Sequence, residues 1–103
     1  METLLSVRRL HGSEVYDRRG NKLGVIDDVM LDLDHSAVRY AVLSFSTPLL
    51  SATKHFAVPI SALHLDTENE CFVLDAEKNR LDAAHGFNVD NPPTGPDSLF
   101  TSH

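Results

Sequence analysis

Four aspartates and a histidine fall close together in the first half of the chain: Asp27, Asp28, Asp32 and Asp34, then His35. Clustered carboxylates beside a histidine are the raw material of a hard-cation site or of general acid–base chemistry. Both need oxygens that converge on one point. Here Asp28, Asp32 and Asp34 alternate with Val29, Leu31 and Leu33, the period of an extended strand. Successive side chains on one strand face stand about 7 Å apart. A row at that spacing solvates a strand face and the turn beyond it, with Asp34 placed for a local hydrogen bond at the reversal. No metal ligands are assigned.

The other reactive residues carry no stronger pattern. His11, His35, His55, His64, His85 and His103 are scattered, and none stands in a His-x-x-x-His or Cys-x-x-Cys spacing. His64 alternates with Leu63 and Leu65, and His55 with Phe56, as outward residues of strands do. Cys71 is the single cysteine; no Lys, Arg or His adjoins it to favour a thiolate, and Glu70 opposes one. It reads as a structural cysteine. The chain has no Gly-x-Ser-x-Gly elbow and no phosphate-cradling glycine loop. No catalytic residue, cofactor-binding residue or metal ligand is therefore assigned from the residues, and an enzyme built on the aspartate row is not expected.

Charge narrows the partners. The net charge is −6, opposite to what phosphate backbones or anionic membrane surfaces attract. Arg8-Arg9 and Arg18-Arg19 are the basic pairs, and a nucleic-acid partner is disfavoured. No apolar run approaches the roughly 20 residues that span a bilayer, and the first residues lack a secretory pattern. The expected location is cytoplasmic.

These residues need elements to hold them. With 103 residues the chain suits one modest core. Residues 1–13 form an opening segment in which Ser6 caps a helical turn over Val7 to Leu10. Glu14 to Asp17 is a short strand and Arg18 to Lys22 a polar turn. Leu23 to Asp34 and Val38 to Phe45 form a long hairpin. Val29, Leu31 and Leu33 take its inner face, yet the earlier inward residues Ile26 and Leu23 are three apart. A period of two that slips by one marks a β-bulge, placed at Asp27-Asp28 next to Gly24. Ala41, Leu43 and Phe45 alternate with Tyr40 and Val42, so the return strand is apolar on both faces and must be central or covered.

A strand from Lys54 to Pro59, a helical turn at Ile60, and a tight hairpin of Leu63–Asp66 with Cys71–Asp75 follow. Glu77 to Ala84 is a short helix anchored by Leu81 and stopped near Gly86. The domain is read as residues 1–87. Residues 88–103, with Asn91-Pro92-Pro93-Thr94-Gly95-Pro96, read as a flexible Pro/Gly-rich tail.

Taken in order, Gly12 to Asp17, Gly20 to Gly24, Ile26 to Asp32 and Arg39 to Ser44 resemble the PRC-barrel family. Phe56 to Pro59, Leu63, Phe72 to Asp75, Leu81 and Gly86-Phe87 continue the likeness, which spans about residues 5 to 90. The resemblance implies a mostly β fold, a small, strongly bent, antiparallel, SH3-like barrel with one or two short helices. It also implies a stand-alone, non-enzymatic protein-interaction module. Such chains often carry a Trp-Pro pair near the end, where this one has Pro92-Pro93 and no tryptophan. The alternative implied by a maturation-factor relative is an RNA- or ribosome-associated role. For the interaction surface we single out Pro48, Leu49 and Leu50, apolar at a loop tip, with Tyr40 and Phe45. The leucines either fold back on their own barrel or meet a second copy in a two-fold dimer. A homodimer and an unidentified protein partner are the expected associations.

Overall fold

The long hairpin forms where the alternation placed it. β2 (Lys22–Asp32) and β3 (Ala37–Phe45) pair along almost their whole length. Register slips between Ile26 and Asp28, so Asp27 is the extra residue of a bulge at the expected position. Gly24 stands beside it because β3 comes too close for anything larger: a Cβ there would lie 1.9 Å from the Ser44 carbonyl oxygen. A second slip, at Arg39 on the return strand, left no mark in the alternation.

The computed structural model describes residues 4–46 and 53–100. Around the hairpin lie β1 (Glu14–Tyr16), β4 (Lys54–Val58), β5 (Leu63–Asp66) and β6 (Cys71–Leu74), with α1 (Val7–Leu10) ahead and α2 (Lys78–Ala83) behind. One curled sheet results, in the order β4-β3-β2-β1-β6-β5. The fold is mostly β, a small curled barrel with two short helices, as expected. One pairing departs from the antiparallel expectation: β1 and β6 run parallel, Val15 opposite Phe72 and Tyr16 opposite Val73. A parallel neighbour needs a long crossover, and the whole β2–β5 meander supplies it.

The main core gathers Val15, Leu23, Ile26, Leu43, Phe45, Phe56, Val58, Leu74 and Leu81, all but sealed from solvent. Phe45 and Phe56 meet edge to face at 5.9 Å, a favoured arrangement of ring quadrupoles. Leu81 is the buried residue of α2. Burying one leucine stabilises by about 1.5–3 kcal/mol, and a six-residue helix cannot persist without such an anchor. At the other end Ser6 caps α1, its hydroxyl accepting from the Arg9 N–H at 3.2 Å.

A second cluster lies on the sheet's outer face. Tyr40, Val42 and Ala57 are buried there, with Met30 and Phe87 packed against them. This explains why the return strand is apolar on both sides.

Candidate functional site

The hairpin runs on past its neighbours as an arm. β1 pairs β2 only as far as Val25, and β4 pairs β3 only from Ala41. Beyond the bulge, residues 28–32 and 37–40 continue as two strands joined by a turn over residues 33–36. The arm's core-side face was expected to be buried through Val29, Leu31 and Leu33. Only Val29 is half-covered; Leu31 is 57% exposed and Leu33 83% exposed. Val38, the cross-strand partner of Leu31, is 46% exposed. Alternation tells which face a residue takes, and the barrel under that face ends before the strands do.

The arm's tip is set by Asp32, not by Asp34. Its carboxylate, only 11% exposed, accepts from the Asp34 and His35 N–H groups at 3.1 and 3.2 Å. It also accepts from His35 Nδ1 and the Arg39 guanidinium. The His35 contact is the largest cause holding the Asp32 carboxyl below its ordinary range, with the backbone donors and Arg39 adding to it. The second hairpin repeats the device: Asp66 accepts from the Glu68 and Asn69 N–H groups and from the Asn69 side chain. Each loop then closes through one left-handed residue, Ser36 (φ 51°) or Glu70 (φ 52°).

The remaining aspartates part ways. Asp28 accepts from the Val29 N–H at 2.8 Å, and Asp27 Oδ2 lies 3.8 Å from His55 Nε2. Among the described residues no three His, Cys, Asp or Glu side chains gather to hold a metal ion. His55 is half-buried beside Phe87, ring centres 6.2 Å apart, while His64 is exposed. Cys71 is buried; burial first, then the Asp66 and Glu14 charges, push its thiol up, away from the thiolate a nucleophile needs.

Tyr40 and Phe45, singled out as interface residues, are packed inside at 1% and 0% exposure. Each fills the chain's own core, Phe45 the main cluster and Tyr40 the outer one. Pro48, Leu49 and Leu50 lie outside the described residues. Two features had no local signal in the sequence. Lys54 reaches across from β4, its ammonium donating to the carbonyls of Asp82 (2.6 Å), Ala84 (2.7 Å) and Leu81 (3.3 Å). And residues 88–100, read as a flexible tail, lie along the barrel. The Tyr40 hydroxyl donates to the Pro93 carbonyl at 2.7 Å, and the Asp97 N–H to the Ala57 carbonyl at 2.8 Å. The Phe100 ring meets Phe56 edge-on at 6.1 Å.

The described residues thus form an arm on a small curled barrel. The family model for the PRC-barrel domain matches residues 2–81, and the chain belongs to that family. A comparison with curated proteins finds no match. Among solved structures, the chain is similar to a 16S ribosomal RNA processing protein, RimM, from Pseudomonas aeruginosa, with 17% identity and a TM-score of 0.50. The likeness covers 73% of this chain and 45% of that one, so this chain spans less than half of that relative. At such identity the shared property is the fold. Among the described residues no helix is long and apolar enough to cross a membrane.

Proposed function

We propose that this chain is a non-enzymatic, cytoplasmic protein-interaction module that docks through the core-side face of the β2–β3 arm. One observation carries the reading: Leu31 and its cross-strand partner Val38 stand exposed at the end of the arm, and Leu33 stands exposed in the turn just beyond them. Isolated two-stranded ribbons are marginal in water, and contiguous apolar surface on a small domain marks an interaction site. A second copy of the chain is the first partner to test, since a self-complementary patch closes as a two-fold dimer. Pro48, Leu49 and Leu50 are proposed, on sequence grounds, as a further apolar contact.

Sedimentation equilibrium at about 100 μM is the test. The wild-type chain is expected to exceed the 11.4 kDa monomer mass, and L31S/L33S to be monomeric with an unchanged melting temperature, because exposed leucines add little to monomer stability. A monomeric wild type, or a variant that associates as before, defeats the dimer. L49S/L50S tests the loop in the same assay.

A second reading, ribosome-associated maturation, is favoured by the likeness to RimM. The net charge of −6 runs against it. Filter binding that showed RNA affinity falling steeply with salt would revive it.

A further inference from the structure

At the opposite end of β2 from the arm's tip, two polar segments face each other across a cleft of about 460 Å³. One wall is the turn between β1 and β2; the other is the link from β6 into α2 with that helix's first residues. Four of the chain's nine lysines and arginines line it, Arg18 and Arg19 from the turn and Lys78 and Arg80 from α2. On a chain whose net charge is −6 such a gathering calls for a reason, because like charges held together repel.

The carboxylates of the cleft do not supply one. Asp17 is turned into its own turn, where three donors occupy its oxygens. The Arg19 guanidinium favours that carboxylate through space, the weakest of the influences on it, and makes no hydrogen bond to it. Asp75 is held by Arg18, Nε to Oδ1 at 3.3 Å, in an exposed pair that ties the two walls together. Glu77 stands at the N-cap of α2 and makes no side-chain cap hydrogen bond. Among the described residues Lys78 and Arg80 enter no ion pair, although Lys78 is half-buried. Lys22, Arg39 and Lys54, outside the cleft, each have a close partner.

The polarity of the walls selects the ligand. Ala76 is the one apolar residue lining them, so an acyl chain has nothing to pack on and a nucleobase nothing to stack on. The volume is that of a small-molecule pocket. Guanidinium forks and an ammonium match the oxygens of phosphate and carboxylate groups, and Asn79 adds an amide donor.

We propose that this cleft binds a small polyanion, a compound carrying two or more phosphate or carboxylate groups, held between Arg19 on one wall and Lys78 and Arg80 on the other. The site is separate from the leucines of the arm, and L31S/L33S is expected to leave it unchanged.

The test titrates the full ¹⁵N-labelled chain with pyrophosphate and, separately, with citrate, at constant ionic strength. The better ligand should shift the Arg19, Asn21, Ala76 and Asn79 amides saturably, with a Kd below about 1 mM. Which of the two binds more tightly tells phosphate from carboxylate recognition. K78Q/R80Q should weaken binding at least about tenfold, since it removes two charged donors, with the melting temperature unchanged. R8Q/R9Q removes the same charge from α1, outside the cleft, and should change affinity by less than about twofold, as distant exposed charges are screened. Should K78Q/R80Q disturb α2, R19Q tests the site from the other wall, with the same loss expected. The absence of a saturable shift at about 20 mM of either anion, shifts centred outside the cleft, or equal losses in K78Q/R80Q and R8Q/R9Q overturns the proposal. So does a chain that answers only to a glutamate-rich peptide, which assigns the cleft to an acidic protein partner.

Discussion

Asp17 shows how one carboxylate can fix a turn. Its residue is 5% exposed, a rare condition for an aspartate, and its oxygens accept from the Arg19 and Asn21 N–H groups and from the Asn21 side chain at 2.8–3.0 Å. Burial pushes the carboxyl up; the Asn21 side-chain amide, then the Asn21 and Arg19 backbone donors, outweigh it and hold the group below its ordinary range. A carboxyl lowered in the folded state contributes stability above its unfolded value, near pH 4, and loses it as pH falls through the folded value. Thermal melts between pH 7 and pH 2 should therefore show a decline beginning near pH 4 that is shallower in D17N. At pH 7 D17A should lose about 2–4 kcal/mol, since three turn donors lose a charged acceptor in a near-dry site. A D17A chain as stable as wild type would show that water replaces the carboxylate without loss.

At the scale of elements, helix α2 depends on a residue far from it in sequence. The last carbonyls of a helix lack intrahelical partners and carry the negative end of its dipole. Lys54 answers both needs by donating to three of them. K54M keeps the stem and removes the donors, so it should lower stability by about 1–2 kcal/mol and speed amide exchange in α2 before β2. An unchanged melt and unchanged exchange would make the ammonium contacts ornamental. Lys54 and the carbonyls it meets are 27 to 30 residues apart, which is why no periodicity could disclose the contact. The same limit governs the rest. The bulge at Asp27 was legible because a slip in alternation is local, and the two-sided burial of β3 because both faces are written in one strand. The exposed end of the arm was not, since Leu31 and Leu33 look like core until the length of the barrel beneath them is known. Nor was Tyr40's hydroxyl partner, 53 residues away.

For the molecule as a whole, the question is whether the sheet opens in parts. β6 joins β5 on one side and the parallel β1 on the other, so it is the seam between the meander and the last hairpin. Cys71 sits at the head of β6, 6% exposed. Burial, ahead of the Asp66 and Glu14 carboxylates, pushes its thiol up. In the closed chain it should resist a thiol reagent, because the attacking species is the thiolate. Labelling must therefore wait for an opening that exposes β6. If β5 and β6 leave together with the barrel, the labelling rate at limiting reagent should follow the global opening equilibrium. D17A would then accelerate labelling by the factor its melt predicts, although Asp17 touches neither strand of the last hairpin in its hydrogen bonds. If the hairpin peels away alone, labelling runs faster than global opening allows and ignores D17A. The core favours the first outcome. Phe72 and Leu74 of β6 share one buried cluster with Val15 and Leu23, so detaching β6 uncovers the main core as well. Labelling that is fast in the native chain and insensitive to D17A would instead divide the barrel at its parallel seam.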